Sequence, residues 1–322
     1  MSNQKKNEKQ KKNEKEKKNE KKKNNEKQKK RWKKLLKNWE LTDEKFCKQL
    51  NKQVWVGLPN EMRKEVWMRL LEIEQIKVKG IYQQYLEGNS EDERYIRLDL
   101  PRLGNLAQFI QNEDVECLFR TLKAYTIHNS KMGYVAGLSH IAAFLYSILQ
   151  DEEDTFWGLC TLIDKYDLYS HFAAGSPGLK RDIYLFTTLL EKYLPKISKN
   201  FKDQGVCAEM YLPRWVITVF TLGMNNFPLL RRMWDVFLVE GIRSLIGFSL
   251  SILKYEEEQL LQEFESVIPF LMSDHSHFEF EKIWKVMLVI KIDEKEFNKL
   301  LIKHEKETLS EKNKKENNNN NL

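Results

Sequence analysis

Apolar residues recur along this chain at three- and four-residue intervals rather than at alternate positions, the spacing that gathers them on one face of a helix. Val115, Leu118, Phe119, Leu122 and Tyr125 make one such stripe. Phe156, Leu159, Cys160 and Ile163 make another, entered through the acidic run Asp151 to Asp154 that suits a helix N-terminus. Leu230, Met233, Trp234, Phe237 and Leu238 make a third, beginning just after Pro228 and stopped by Gly241. Residues 212–222, LPRWVITVFTL, are apolar nearly all round and predict a buried central helix. Glycine and proline are scarce over the middle of the chain and sustained alternation is absent, so sheets have nothing to start from. No self-similarity of solenoid length appears. The expectation is an all-α, multi-helix domain over 54–290, with eight helices or more. A basic, low-complexity, disordered tail over 1–38 and a polar C-terminal helix or disordered tail over 291–322 are expected to flank it.

Charge sharpens that division. Residues 1–30 hold 14 lysines against 5 glutamates, a net of +9, while the whole chain is +7, so the remainder is slightly acidic at −2. After Met1 this tract has no hydrophobic residue, cannot bury enough surface to offset its ordering entropy, and is expected to be disordered, as is the Asn-rich C-terminal end. Such a tract can meet an anionic membrane surface, nucleic acid or an acidic partner. The near-neutral remainder argues against nucleic acid. The tract has neither the apolar core of a secretory signal nor the composition of a transit peptide. The longest apolar run, 137–149, is too short to span a bilayer and contains His140. A soluble, cytoplasmic protein is therefore expected. Cys47, Cys117, Cys160 and Cys207 are widely spaced without a CxxC, which fits buried, reduced thiols rather than a disulfide frame or zinc site.

Candidate chemistry is sparse. His275 and His277 form an HxH pair beside Asp274 but have no further ligand cluster, and read as an exposed loop rather than a metal site. Glu152, Glu153 and Asp154 suit a helix dipole better than acid–base work. Neither GxxxxGK[ST] nor GxGxxG occurs, so nucleotide chemistry must reside on a partner. In IRLDLPRL, residues 96–103, Pro101 lacks an N–H and should push Leu100 away from helical angles, leaving Arg102 on irregular backbone.

Other segments give Arg102 a context. Residues 57–71 carry R-x-x-V-W (Arg63, Val66, Trp67), residues 96–102 read I-x-x-D-x-x-R, and residues 133–138 give Y-x-x-G (Tyr134, Gly137). EEDTFWGL at 152–159, Trp215 within RWVITVF, and LLRRMWDVFLVEG at 229–241 follow in order. Over 57–255 the chain resembles the TBC domain of Rab GTPase-activating proteins.

The resemblance implies an all-helical fold that binds a Rab-type small GTPase in its GTP-bound form and stimulates GTP hydrolysis in trans, in the regulation of vesicle trafficking. It implies no cofactor of the chain's own, GTP and Mg2+ being carried by the partner, and no turnover of a substrate by the chain itself. It places an arginine finger at Arg102, supported by Asp99, Tyr134 and Gly137. The family's water-orienting glutamine falls on Ala136, and its threonine after the arginine on Leu103. Arg63, Trp67, Trp215, Trp234 and Asp235 fall on structural positions. The alternative is a Rab-binding effector or scaffold, catalytically weakened because Ala136 cannot hydrogen-bond water. Peripheral attachment to endomembranes through the Lys-rich tail is a further expectation.

Overall fold

The computed structural model describes residues 23–40 and 43–319, and every described element is helical, with no strand among them. The chain divides into two compact units, residues 1–67 and 68–322.

In the first unit, residues 23–37 (α1) are helical, followed by α2 (Glu44–Val56) and the start of α3 (Asn60–Leu70). Asp43 caps α2 by accepting from the Phe46 N–H at 2.7 Å. The helix α1 corrects the expectation of disorder through residue 38, while residues 1–22 lie outside the described residues. Three apolar side chains at i, i+3 and i+4 explain it. Trp32 is fully buried, Leu35 and Leu36 are nearly so, and the Trp32 indole donates to the Gly57 carbonyl at 2.7 Å. A buried tryptophan of this kind contributes about 3–5 kcal/mol, enough to order a short polar helix around it.

In the second unit the chain passes through the short helices α4 (Ile73–Ile76), α5 (Ile81–Glu87) and α6 (Glu93–Asp99) into α7 (Asn112–His128), α8 (Leu138–Leu149) and α9 (Glu152–Lys165). These last three pack on one another, and α5 and α6 lie against α7. The acidic entry to α9 is confirmed and specialised. Asp151 caps the helix, Glu152 accepts from Nε and Nη2 of Arg120 and from the Tyr82 hydroxyl, and Asp154 receives Lys77 at 3.0 Å. The α8 segment that came nearest to a membrane span is buried instead over most of its length, and no described helix is long and apolar enough to cross a membrane.

The chain continues through α10 (Tyr169–Phe172), α11 (Pro177–Tyr193), α12 (Pro195–Gln204), α13 (Leu212–Val216), α14 (Phe227–Glu240), α15 (Ile242–Tyr255), α16 (Glu257–Leu260), α17 (Phe264–Leu271), α18 (Phe280–Val289) and α19 (Glu294–Asn319). The helix α15 is central, touching α11, α13, α14 and α18, and α19 packs on α11. Phe144 of α8 meets Trp234 of α14 at 4.9 Å, joining the two helix groups.

Three local readings are corrected. The apolar run 212–222 is buried but helical only to Val216, then turns through Val219 and Phe220 at positive φ. Its β-branched residues favour helix weakly, and the tertiary structure uses the turn, because the Trp234 indole donates to the Val219 carbonyl at 2.9 Å. Leu100 keeps helical angles (φ −56°, ψ −41°), since α6 tightens directly into a 3-10 turn over Leu100–Arg102. Pro101 is tolerated there because the first N–H groups of a new turn need no intrahelical acceptor. Val115 is exposed, whereas Leu118, Phe119, Leu122 and Tyr125 of the same stripe are buried.

Candidate functional site

The helix α6 is short, and both of its ends carry a carboxylate aimed at the same neighbouring segment, residues 133–137. At its N-terminal end Asp92 Oδ2 accepts the Tyr134 backbone N–H at 2.8 Å. At its last residue Asp99 Oδ2 accepts the Tyr134 hydroxyl at 3.0 Å. Burial, reinforced by the nearby Asp99 charge, raises the Tyr134 phenol above its ordinary pKa, so it stays protonated and a donor. Sequence reasoning missed Asp92, whose role depends on a contact across 42 positions of chain.

The other oxygen of Asp99 faces Arg102, whose Nη1 lies 3.4 Å from Oδ1. That distance is long for a charge-assisted bond, and the Arg102 side chain is 73% exposed. The guanidinium is therefore oriented rather than fastened, and an exposed pair of this kind contributes at most about 1 kcal/mol. Leu103 beside it is buried and anchors the turn.

The 133–137 segment is held by its glycines as well. Gly137, at φ +100°, caps α8, and a Cβ there would approach Thr218 Cγ2 to 3.1 Å. Gly133, at φ +63°, has Asp92 so close that a Cβ would lie 2.9 Å from its Oδ2. Both positions require the left-handed region and close approach that glycine permits. Between them Ala136 is exposed and presents only a methyl group. Arg102 and Ala136 are thus carried on two segments tied together through Asp99 and Tyr134.

The remaining candidates are interior. Arg63 is buried and donates to the Leu58 carbonyl at 3.0 Å and to Asn60 Oδ1, and Trp67 is fully buried. Trp215, Trp234 and Asp235 are buried, Asp235 receiving Arg232 at 3.4 Å. His275 is buried rather than on an exposed loop, stacked on Phe278 at 4.9 Å, while His277 is exposed and near Glu256. Among the described residues no group of three or more potential metal ligands occurs. None of the four cysteines forms a disulfide among the described residues, and Cys47 and Cys207 are exposed, against the expectation of buried thiols.

An exposed, loosely held guanidinium at a helix end is suited to stabilising negative charge on another molecule. The model of the Rab-GTPase-TBC domain family matches residues 60–261, well over half of the chain. The chain belongs to the Rab-GTPase-TBC domain family. Among curated relatives, the GTPase-activating protein GYP5 of Eremothecium gossypii is 30% identical over 243 residues, 74% of this chain and 28% of that protein. The ecotropic viral integration site 5 protein homolog of Homo sapiens is 28% identical over 249 residues, 74% of this chain and 30% of that protein. The TBC chain thus spans less than a third of the length of these relatives. The crystal structure of a Chlamydomonas flagellar RabGAP TBC domain superposes with a TM-score of 0.64 at 19% identity, covering 84% of this chain and 94% of that one. The Ypt/Rab-GAP domain of Gyp1p gives a TM-score of 0.62, covering 76% and 91%. The all-α TBC fold expected from the motifs is the fold observed.

Proposed function

We propose that this TBC domain accelerates GTP hydrolysis by a Rab-type small GTPase, inserting Arg102 into the partner's nucleotide site. The observation that carries the reading is the placement of Arg102: exposed, at the end of a helix, and steadied by Asp99 without being buried against it. In phosphoryl transfer, charge accumulates on the oxygens around the transferred phosphorus, and a permanently charged planar donor supplied in trans accelerates the step by roughly 10³–10⁵. That acceleration corresponds to about 4–7 kcal/mol.

Asp99 is the pivot of this arrangement. Its grip on Tyr134 keeps the carboxylate in place, and the carboxylate in turn limits the rotamers that Arg102 samples before docking, which lowers the entropy of presentation. Ala136 has neither donor nor acceptor, so the attacking water is oriented by the GTPase's own glutamine. The chain supplies a side chain to another protein's reaction and turns over no substrate of its own. GTP and Mg2+ belong to the partner.

Two finer assignments complete the proposal. The domain acts in vesicle trafficking, from the cytoplasmic side and peripherally on endomembranes, with the basic N-terminal stretch as its contact with an anionic membrane surface. The test is single-turnover GTP hydrolysis by a panel of Rab-type GTPases with and without the chain. Acceleration of at least one member is expected. GTP-dependent binding without acceleration of any member would instead identify an effector.

A further inference from the structure

The helix α1 has two opposed faces of different character. Trp32, Leu35 and Leu36 are buried, and Lys29 on the same side pairs with Glu26 at 3.1 Å and with Glu61 at 2.5 Å. Lys27, Lys30, Arg31, Lys33, Lys34 and Lys37 are all exposed, and none of the six forms an ion pair among the described residues. At roughly 100° per residue these six side chains fall within about 160° of the helix circumference, opposite the buried stripe. Among the described residues of α1, Glu26 is the one acidic residue within that arc, and it is paired with Lys29.

We propose that the outer face of α1 is an electrostatic docking surface for an anionic lipid bilayer, one that attaches without inserting. This deepens the membrane contact taken above and assigns it to a folded element. An amphipathic helix ordinarily binds a membrane by burying its apolar face at the acyl boundary. Here that face is already committed, with Trp32 inside the unit and its indole bonded to Gly57, so only charge remains for the bilayer. Holding six cations on a preformed helix avoids the ordering cost that a disordered lysine tract incurs when it is immobilised. Nucleic acid is the less suitable polyanion, because single strands are gripped by aromatic platforms interleaved with cations, and the basic arc has none.

The test is sedimentation of the full chain with phosphatidylcholine vesicles, with and without phosphatidylserine at about 7:3, at low and raised salt. Binding is expected only with phosphatidylserine, weakening about tenfold or more as salt is raised several-fold. Brominated acyl chains should leave tryptophan fluorescence unquenched. Replacing the six exposed cations by glutamine should lower partition about tenfold or more, and Lys30→Glu with Lys34→Glu should lower it similarly, with unchanged urea midpoints. Replacing the ten lysines of residues 1–22 by glutamine should lower it less. Binding that survives the sixfold change but is lost with the residue 1–22 replacements overturns the assignment to α1 while leaving a membrane contact standing. No binding of the unmodified chain overturns both. Quenching by brominated chains overturns the non-inserting mode, and tighter binding to duplex DNA than to vesicles at equal salt overturns the lipid assignment.

Discussion

Asp99 divides its two oxygens between Tyr134 and Arg102: Oδ2 accepts the phenol at 3.0 Å and Oδ1 faces the guanidinium at 3.4 Å. One half-buried carboxylate thereby connects the segment bearing Arg102 to the segment bearing Ala136. Removing either neighbour should have a different consequence.

Arg102→Ala is expected to reduce stimulated hydrolysis by about 10³-fold or more, and Arg102→Lys nearly as much, because an ammonium lacks the planar fork. Stability should change by no more than about 0.5 kcal/mol, since the side chain is largely exposed. Tyr134→Phe should behave oppositely, costing about 1 kcal/mol in urea unfolding through the lost bond to Asp99, with a loss of stimulation well short of Arg102→Ala. Full stimulation by Arg102→Ala would remove the finger assignment.

Ala136 makes a separate prediction about the partner. A GTPase whose own switch glutamine is replaced should resist the wild-type chain, because nothing at position 136 can orient water. Ala136→Gln should restore hydrolysis chiefly on that altered GTPase, as the position is exposed and its frame is set by Tyr134 and Gly137. All four pairings of chain and GTPase should be measured. Equal stimulation of both GTPases by the wild-type chain would sink the one-finger mechanism.

Leu98 and Tyr95, 49% and 60% exposed on α6, are the large apolar side chains a partner would meet on approaching Arg102. Leu98→Asp is expected to raise KM for the GTP-loaded GTPase about tenfold or more while leaving kcat nearly unchanged, the reverse of Arg102→Ala. An unaltered KM would exclude this face from the contact.

His275 gives the fold a pH dependence. Burial, followed by the positive charges of His277 and Arg214, lowers its pKa from 6.5 to about 3. The unfolded chain therefore takes up a proton below pH 6.5 that the folded chain refuses until near pH 3, so stability is full above 6.5 and falls as pH drops through this window. The slope from this group approaches about 1.4 kcal/mol per pH unit. His275→Gln should flatten the dependence between about pH 6.5 and 4 in urea titrations. An unchanged slope would show that His275 titrates normally.

Helical periodicity alone determined that the chain is all-α, and it located the cores of α7, α9 and α14, because a side chain's face on a helix follows from local spacing. The ordered motif blocks likewise singled out Arg102 and Ala136 by position. Whether a given apolar residue is buried is decided by what lies opposite it, so Val115 is exposed while Trp32 orders a lysine-rich segment whose composition alone spoke for disorder. The break after Val216 arises in the same way, from an indole of α14 claiming the Val219 carbonyl. Only the tertiary structure brought Asp92 and Asp99 onto Tyr134, 42 and 35 positions away, since hydrogen bonds at such separations follow from helix packing and leave no periodic trace in the sequence.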